Sequence, residues 1–102
     1  MRQNYEIPDS PYHLTVLRFG AAGTGRKAYL QAGLHADEFP GMLVLRILAG
    51  HLAEADARGA VHGEIVVVPQ ANPIGLAQTE TSFLSGRIES GTGENFNRNY
   101  PD

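Results

Sequence analysis

"GLHADEFPG" (33–41) is the stretch on which the reading of this chain turns, because the spacing of apolar residues changes across it. Upstream, "RKAYLQAGL" (26–34) reads as a strand. Downstream, Leu45, Leu48, Leu52 and Ala55 recur at helical spacing, while Arg46, Glu54, Asp56 and Arg58 fall mostly elsewhere. That pattern predicts a helix from about 38 to 58. Asp37 is placed to cap it, Pro40 falls in the first turn where its missing N–H costs nothing, and Gly59 is a suitable stop. Its first half, "GMLVLRIL", is apolar nearly all round, so it is expected to be covered on more than one side.

Beyond the helix, "HGEIVVVPQ" (62–70) has the continuous apolar centre of a buried strand, expected over about 64 to 69. Strand, helix and strand make a βαβ unit with a right-handed crossover. Before it, "YHLTVLRFG" (12–20) alternates, with Leu14, Val16 and Arg18 on one side and Leu17 and Phe19 on the other. The short link "AAGTG" then suggests an antiparallel hairpin spanning about 12 to 34. "GAAGTGRK" is not a phosphate loop, since Lys27 is followed by Ala28 and a strand rather than by Ser or Thr and a helix. The expected architecture is α/β, a β-hairpin followed by βαβ, in one domain over 1–102. Residues 1–11 read as an N-terminal extension and 71–102 as a long loop region without a clean period. Loops of that length inside compact domains usually carry function or are disordered.

Composition narrows the function. The 102 residues suffice for one small core, and 42% hydrophobic with 19% charged residues is ordinary for a soluble protein. The apolar runs "MLVL" and "IVVVP" fall far short of the roughly 18 residues of a membrane span. No signal peptide is visible in "MRQNYEIPDSPYH". With no cysteine, disulfides and thiolate metal sites are excluded, and a cytoplasmic location is expected. A net charge of -3 without a basic cluster argues against a nucleic-acid partner.

In open α/β sheets ligands gather beyond the carboxyl ends of the strands, and His35, Glu38, Asn72 and the long loop all follow such ends. His35 and Glu38, three apart at a strand-to-helix junction, can bring an imidazole and a carboxylate to one metal ion. The plain alternative is a solvated histidine and a first-turn glutamate favoured by the helix dipole. "GENFNRNYPD" (93–102) adds Arg98, a planar cationic fork suited to a carboxylate, with the Asn97 amide beside it. Read plainly, it is an asparagine-rich turn with a surface arginine.

Taken together and in order, "GLHADEFPG", "VVVPQANPIG" (66–75) and "GENFNRNYPD" resemble the succinylglutamate desuccinylase/aspartoacylase family of zinc carboxypeptidase-like metallohydrolases, over roughly residues 12 to 102. The resemblance implies the N-terminal portion of a three-layer α/β/α fold with a mixed sheet. It implies zinc-dependent hydrolysis of the amide of an N-acyl amino acid, one zinc ion per site, and a small-molecule substrate. By it, His35 and Glu38 are zinc ligands, and Arg87 in "LSGRIES" (84–90) polarises the scissile carbonyl. Asn97 and Arg98 hold the substrate carboxylate, and Asn72 with Pro73 shapes the pocket. A peptidase of the same superfamily, or a non-catalytic domain binding an anion or a partner chain, would carry much of the same pattern.

The sequence departs from that family in one respect. Relatives place a third histidine ligand and a glutamate base well downstream of the Asn-Arg motif, and neither is found here before Asp102. His13, His51 and His62 are expected to be structural or solvated, and Glu80, Glu89 and Glu94 are the acidic residues of the long loop. Zinc occupancy is therefore expected to be partial or absent, and the chain by itself not to turn over substrate. The third strand is expected to lack neighbours, so that self-association or a complementing C-terminal segment would cover it.

Overall fold

The computed structural model describes residues 1–80, 83–84 and 86–101. Strands β1 (Arg2–Glu6), β2 (His13–Gly20) and β3 (Lys27–Gln31) precede helix α1 (Phe39–Ala57), which is followed by strand β4 (Glu64–Val68). A short helix α2 (Pro73–Ala77) and a two-stranded ribbon of β5 (Thr79–Glu80) and β6 (Phe83–Leu84) follow. The main sheet has the order β1-β2-β4-β3 and is mixed. β4 runs antiparallel to β2 and parallel to β3, so β3, α1 and β4 form the expected βαβ unit.

The expected hairpin between 12–20 and 26–34 is not formed, because β4 lies between its two arms. Ala21 N–H donates to the Gly63 carbonyl (2.8 Å) and Glu64 N–H to the Arg26 carbonyl (2.9 Å), so the entry to β4 is stitched to both ends of the glycine-rich link. Two strand spacings are roughly 9.5 Å, a gap that five residues span without strain. The reason for the insertion lies in β4 itself. Its centre is apolar on both faces, and only an interior position pairs both edges while covering both faces. Val66, Val67 and Val68 are 4%, 0% and 1% exposed. Burying one such side chain is worth about 1.5–3 kcal/mol.

A hairpin does exist one strand earlier. Residues 2–6, expected to lie in an extension, pair antiparallel with 13–17 as β1. Cross-strand polar contacts hold this edge: Arg18 donates to Gln3 Oε1 (2.7 Å) and to Glu64 Oε1 (2.9 Å), bridging β1, β2 and β4.

Two apolar layers result. Val16, Val66 and Val68 lie on one face of the sheet with Leu14 and Ala71 against them. Phe19, Leu45 and Val67 lie on the other, joined by Leu17, Leu30, Leu48, Leu52 and Ile65. α1 contributes Met42 and Leu45 as its buried residues. Its cap differs from expectation: Glu38 rather than Asp37 is the N-cap, without a side-chain bond. The helix stops as expected, with Gly59 at φ +69° donating to the Asp56 carbonyl.

Two expectations about coverage are reversed. The third predicted strand is the most enclosed element, not an exposed one. The first half of α1 is covered on one side only, leaving Leu43 and Val44 61% and Ile47 56% exposed. A single sheet layer lies against this helix among the described residues, and one layer covers one stripe. No described helix is long and apolar enough to cross a membrane.

The two faces of α1 are distinguished by a pair of truncations. Leu45→Ala is expected to cost about 2–5 kcal/mol in denaturant-induced unfolding. Leu43→Ala, on the exposed face, should stay within about 0.5 kcal/mol. Equal losses at both positions would show that α1 buries a different stripe.

Candidate functional site

His35 follows the carboxyl end of β3, and its ring is held from two directions. Nε2 lies 2.8 Å from Asn95 Oδ1, and the same oxygen accepts the Asn97 backbone N–H at 2.9 Å. An atom that accepts from a backbone N–H is the amide oxygen, so the His35 nitrogen facing it must carry hydrogen. Nδ1 faces Glu38 Oε2 at 2.9 Å and Arg87 NH1 at 3.2 Å. In the Nε2–H tautomer, Nδ1 presents a lone pair to a carboxylate oxygen. The Arg87 guanidinium stands beside both of these acceptors, 3.2 Å from Nδ1 and 3.7 Å from Oε2, and supplies the positive charge that a metal ion between them would also supply.

The donor set suits the metal reading. Imidazole nitrogen and carboxylate oxygen both ligate zinc at ~2.0–2.2 Å, and two atoms 2.9 Å apart lie close enough to share one ion. The His35 side chain is 11% exposed, with Glu38 more open at 58%. Among the described residues, no group of three or more His, Cys, Asp or Glu is placed to hold a metal.

Arg87 is brought to this point by the loop. Its Nε lies 3.6 Å from Asp37 Oδ2 and its NH1 3.7 Å from Glu38 Oε2. Residues 87–96 fold back on themselves: Ile88 and Asn95 form a bridge, and Phe96 N–H donates to the Arg87 carbonyl at 3.0 Å. The turn of this fold-back places Arg87 and Asn95 side by side against one histidine. The region expected to lack regular structure is thus built from α2, the β5–β6 ribbon and this bridged loop. Short elements capped by a single Asn or closed by one bridge leave no period to read.

Asn97 lines an open depression of about 660 Å³ with His35, Asp37, Glu38 and Tyr100. Its Oδ1 accepts from the Tyr100 hydroxyl at 2.7 Å. Arg98 is not brought to the depression. It is exposed, and its guanidinium donates to the Asn97 carbonyl at 2.6 Å. His13, His51 and His62 are exposed, with His13 opening β2, His51 on α1 and His62 at the turn before β4. Glu94 is exposed, and Glu89 is engaged within its own loop.

Three residues beside the pair were not read from the sequence as site residues. Asn95 orients the ring, Asp37 faces Arg87, and Tyr100 closes on Asn97. Asp37 Oδ1 is buried without a hydrogen-bond partner. The available signal was the density of asparagines in "NFNRN", but spacing cannot say which of them reaches 60 residues back to His35.

Glu89 makes the loop sensitive to acid. The backbone N–H of Gly91, then the backbone and hydroxyl of Thr92, hold its carboxyl below the usual glutamate range, with Gln78 adding a weaker bond. A depressed folded value means that the carboxylate's contribution is complete above the unfolded value and is lost as pH falls through the folded one. The Thr92 amide, which donates to Glu89 Oε2 at 2.6 Å, should therefore shift in NMR spectra only below about pH 4.5. Glu89→Gln should abolish that acid transition. A wild-type Thr92 amide that ignores acid would refute this account.

Residues 24–102 match the succinylglutamate desuccinylase/aspartoacylase catalytic domain. Among solved structures, a protein from Shewanella amazonensis SB2B assigned to that family superposes with a TM-score of 0.81 at 34% identity. A Shewanella frigidimarina NCIMB 400 protein with a like assignment gives 0.74 at 24% identity, a likeness of fold. Each match covers 100% of this chain, which spans 28% of the length of either relative. No curated protein matches. The chain belongs to the succinylglutamate desuccinylase/aspartoacylase family, and residues 24–102 lie in its catalytic domain.

Proposed function

We propose that this chain carries the first part of the site of a zinc-dependent hydrolase that cleaves the amide of N-acyl amino acids. The observation that carries the reading is the convergence of His35 Nδ1, Glu38 Oε2 and Arg87 NH1 on one point at the wall of the depression. His35 and Glu38 would hold the metal. Zinc there would supply Lewis acidity toward the amide carbonyl.

The chain's own residues supply binding and charge stabilisation. Arg87 reaches the same point as the pair, so its guanidinium can donate to the carbonyl oxygen as negative charge grows on it. Donors aimed at developing charge are worth more in the transition state than in the ground state. Asn97 offers its amide from the wall of the depression. Arg98 stands one residue on and would meet a substrate carboxylate by exchanging its bond to the Asn97 carbonyl for a bidentate pair. Asn95 keeps Nδ1 of His35 turned toward the site by occupying Nε2.

We assign the third metal ligand and the general base to residues outside the described set. A site with two of three ligands holds zinc weakly. The 102-residue chain should accordingly bind zinc in equilibrium dialysis with low affinity, and His35→Ala or Glu38→Ala should remove that binding. It should show no chelator-sensitive turnover of N-acyl amino acids or short peptides. Zinc uptake unchanged in both variants would place the metal elsewhere and sink the assignment.

The anchor is tested separately. Arg98→Lys should weaken binding of an N-acyl amino acid by about tenfold, or ~1.4 kcal/mol, since an ammonium cannot reproduce the bidentate fork. NMR titration of the chain measures it. Equal affinities would take Arg98 out of the pocket.

A further inference from the structure

Asn72 is 6% exposed, the one polar residue buried to that degree among the described residues. Both ends of its amide are used. Oδ1 accepts the Gly75 N–H at 2.8 Å, which caps α2. Nδ2–H donates to the Leu34 carbonyl at 2.9 Å, a bond that does nothing for α2. It reaches back to the peptide immediately before His35. On the other side of His35, Ala36 N–H donates to the Gly86 carbonyl at 2.9 Å, one residue before Arg87.

Three backbones meet at this point, and glycine permits their approach. A Cβ on Gly75 would stand 2.9 Å from the Gly86 oxygen and 2.5 Å from Asn72 Nδ2. Gly86 has φ +59°, and a Cβ there would stand 2.4 Å from the Ala36 Cβ. The peptides flanking His35 are thus fixed by Asn72 on one side and by Gly86 on the other.

We propose that Asn72 is a positioning residue for His35: by holding the Leu34 carbonyl it sets where Nδ1 meets Glu38 and Arg87. The proposal rests on the reading of His35 as a metal ligand. Capping alone does not account for the residue, because Ser and Asp cap as well as Asn does. A short carboxamide accepts from Gly75 through one atom and donates to Leu34 through another, whereas an Asp carboxylate only accepts and a Ser hydroxyl has one oxygen for both. A part-buried carbonyl left without its donor is costly, so the Leu34 peptide would move to find another.

Asn72→Asp keeps an oxygen for Gly75 and has no donor for Leu34; in Asn72→Ser a single hydroxyl oxygen on a shorter side chain replaces the two amide atoms and cannot take both of their places. In the 102-residue chain, each should fold and keep the Gly75 amide protected. Each should raise hydrogen exchange at the Ala36 amide at least tenfold in the absence of metal. Zinc affinity, titrated with zinc alone, should fall by about 10–100-fold, as for other groups that support a ligand. A folded variant with unchanged Ala36 exchange overturns the proposal and leaves Asn72 a cap. Wild-type protein that binds no zinc refutes the metal reading instead, and the metal-free exchange still decides the role of Asn72. Should neither variant fold, sub-denaturing urea on the wild type decides. The Asn72 side-chain amide and the His35 ring must lose their native NMR signals together, and a His35 environment that outlasts the Asn72 bond overturns the proposal.

Discussion

β4 enters between β2 and β3, and everything that matters about the site follows from that insertion. With Val67 fully enclosed and neighbours on either edge, β4 is the element with least freedom to move. Its carboxyl end therefore fixes where Pro69 to Asn72 begin, and β3, parallel to it, fixes where Gly33 to His35 emerge. Two parallel strands side by side deliver their following loops to the same edge. The depression is lined by the loop after β3, by the start of α1, and by Asn97 and Tyr100.

The loops are then tied to each other rather than left to the strands. Asn72 reaches the Leu34 carbonyl, Ala36 reaches Gly86, and Asn95 reaches the His35 ring. Each bond joins segments distant in sequence, and each ends on or beside a residue with acid-base or charge chemistry. A histidine whose backbone and ring are both anchored loses little further freedom on meeting a ligand, which is the physical content of preorganisation. Arg98 lacks such anchoring and sits exposed, its guanidinium on the Asn97 carbonyl.

Arg87 occupies a particular place in this arrangement. Its guanidinium sits within reach of the two groups read as metal ligands, with Asp37 behind it. An arginine beside a carboxylate and an imidazole lone pair offsets charge that a metal would otherwise offset. On the function proposed above, the same side chain would donate to the polarised carbonyl.

Local pattern was enough for the parts of the molecule whose physics is local. The change of period at "GLHADEFPG" located β3 and α1, the apolar run "IVVV" located β4, and Gly59 marked the end of the helix. The three motifs were enough to name the family and to bring His35 and Glu38 forward as a pair. Partner choice was not local, and there the sequence was silent. A five-residue glycine-rich link fits a tight hairpin and a bridge over an inserted strand equally well, because the difference lies in what β4 needs and not in the link. Residues 2–6 carry no strong alternation, and pairing with β2 alone makes them a strand. The asparagines of "NFNRN" are chemically alike, and tertiary folding alone set Asn95 on the His35 ring, as it set Asn72 under Leu34. Composition and spacing determined β2, β3, α1 and β4, because those depend on neighbours along the chain; tertiary structure decided that residues 2–6 form β1 and which elements touch, because strand partners and hydrogen-bond partners 38 and 60 residues apart are chosen by packing.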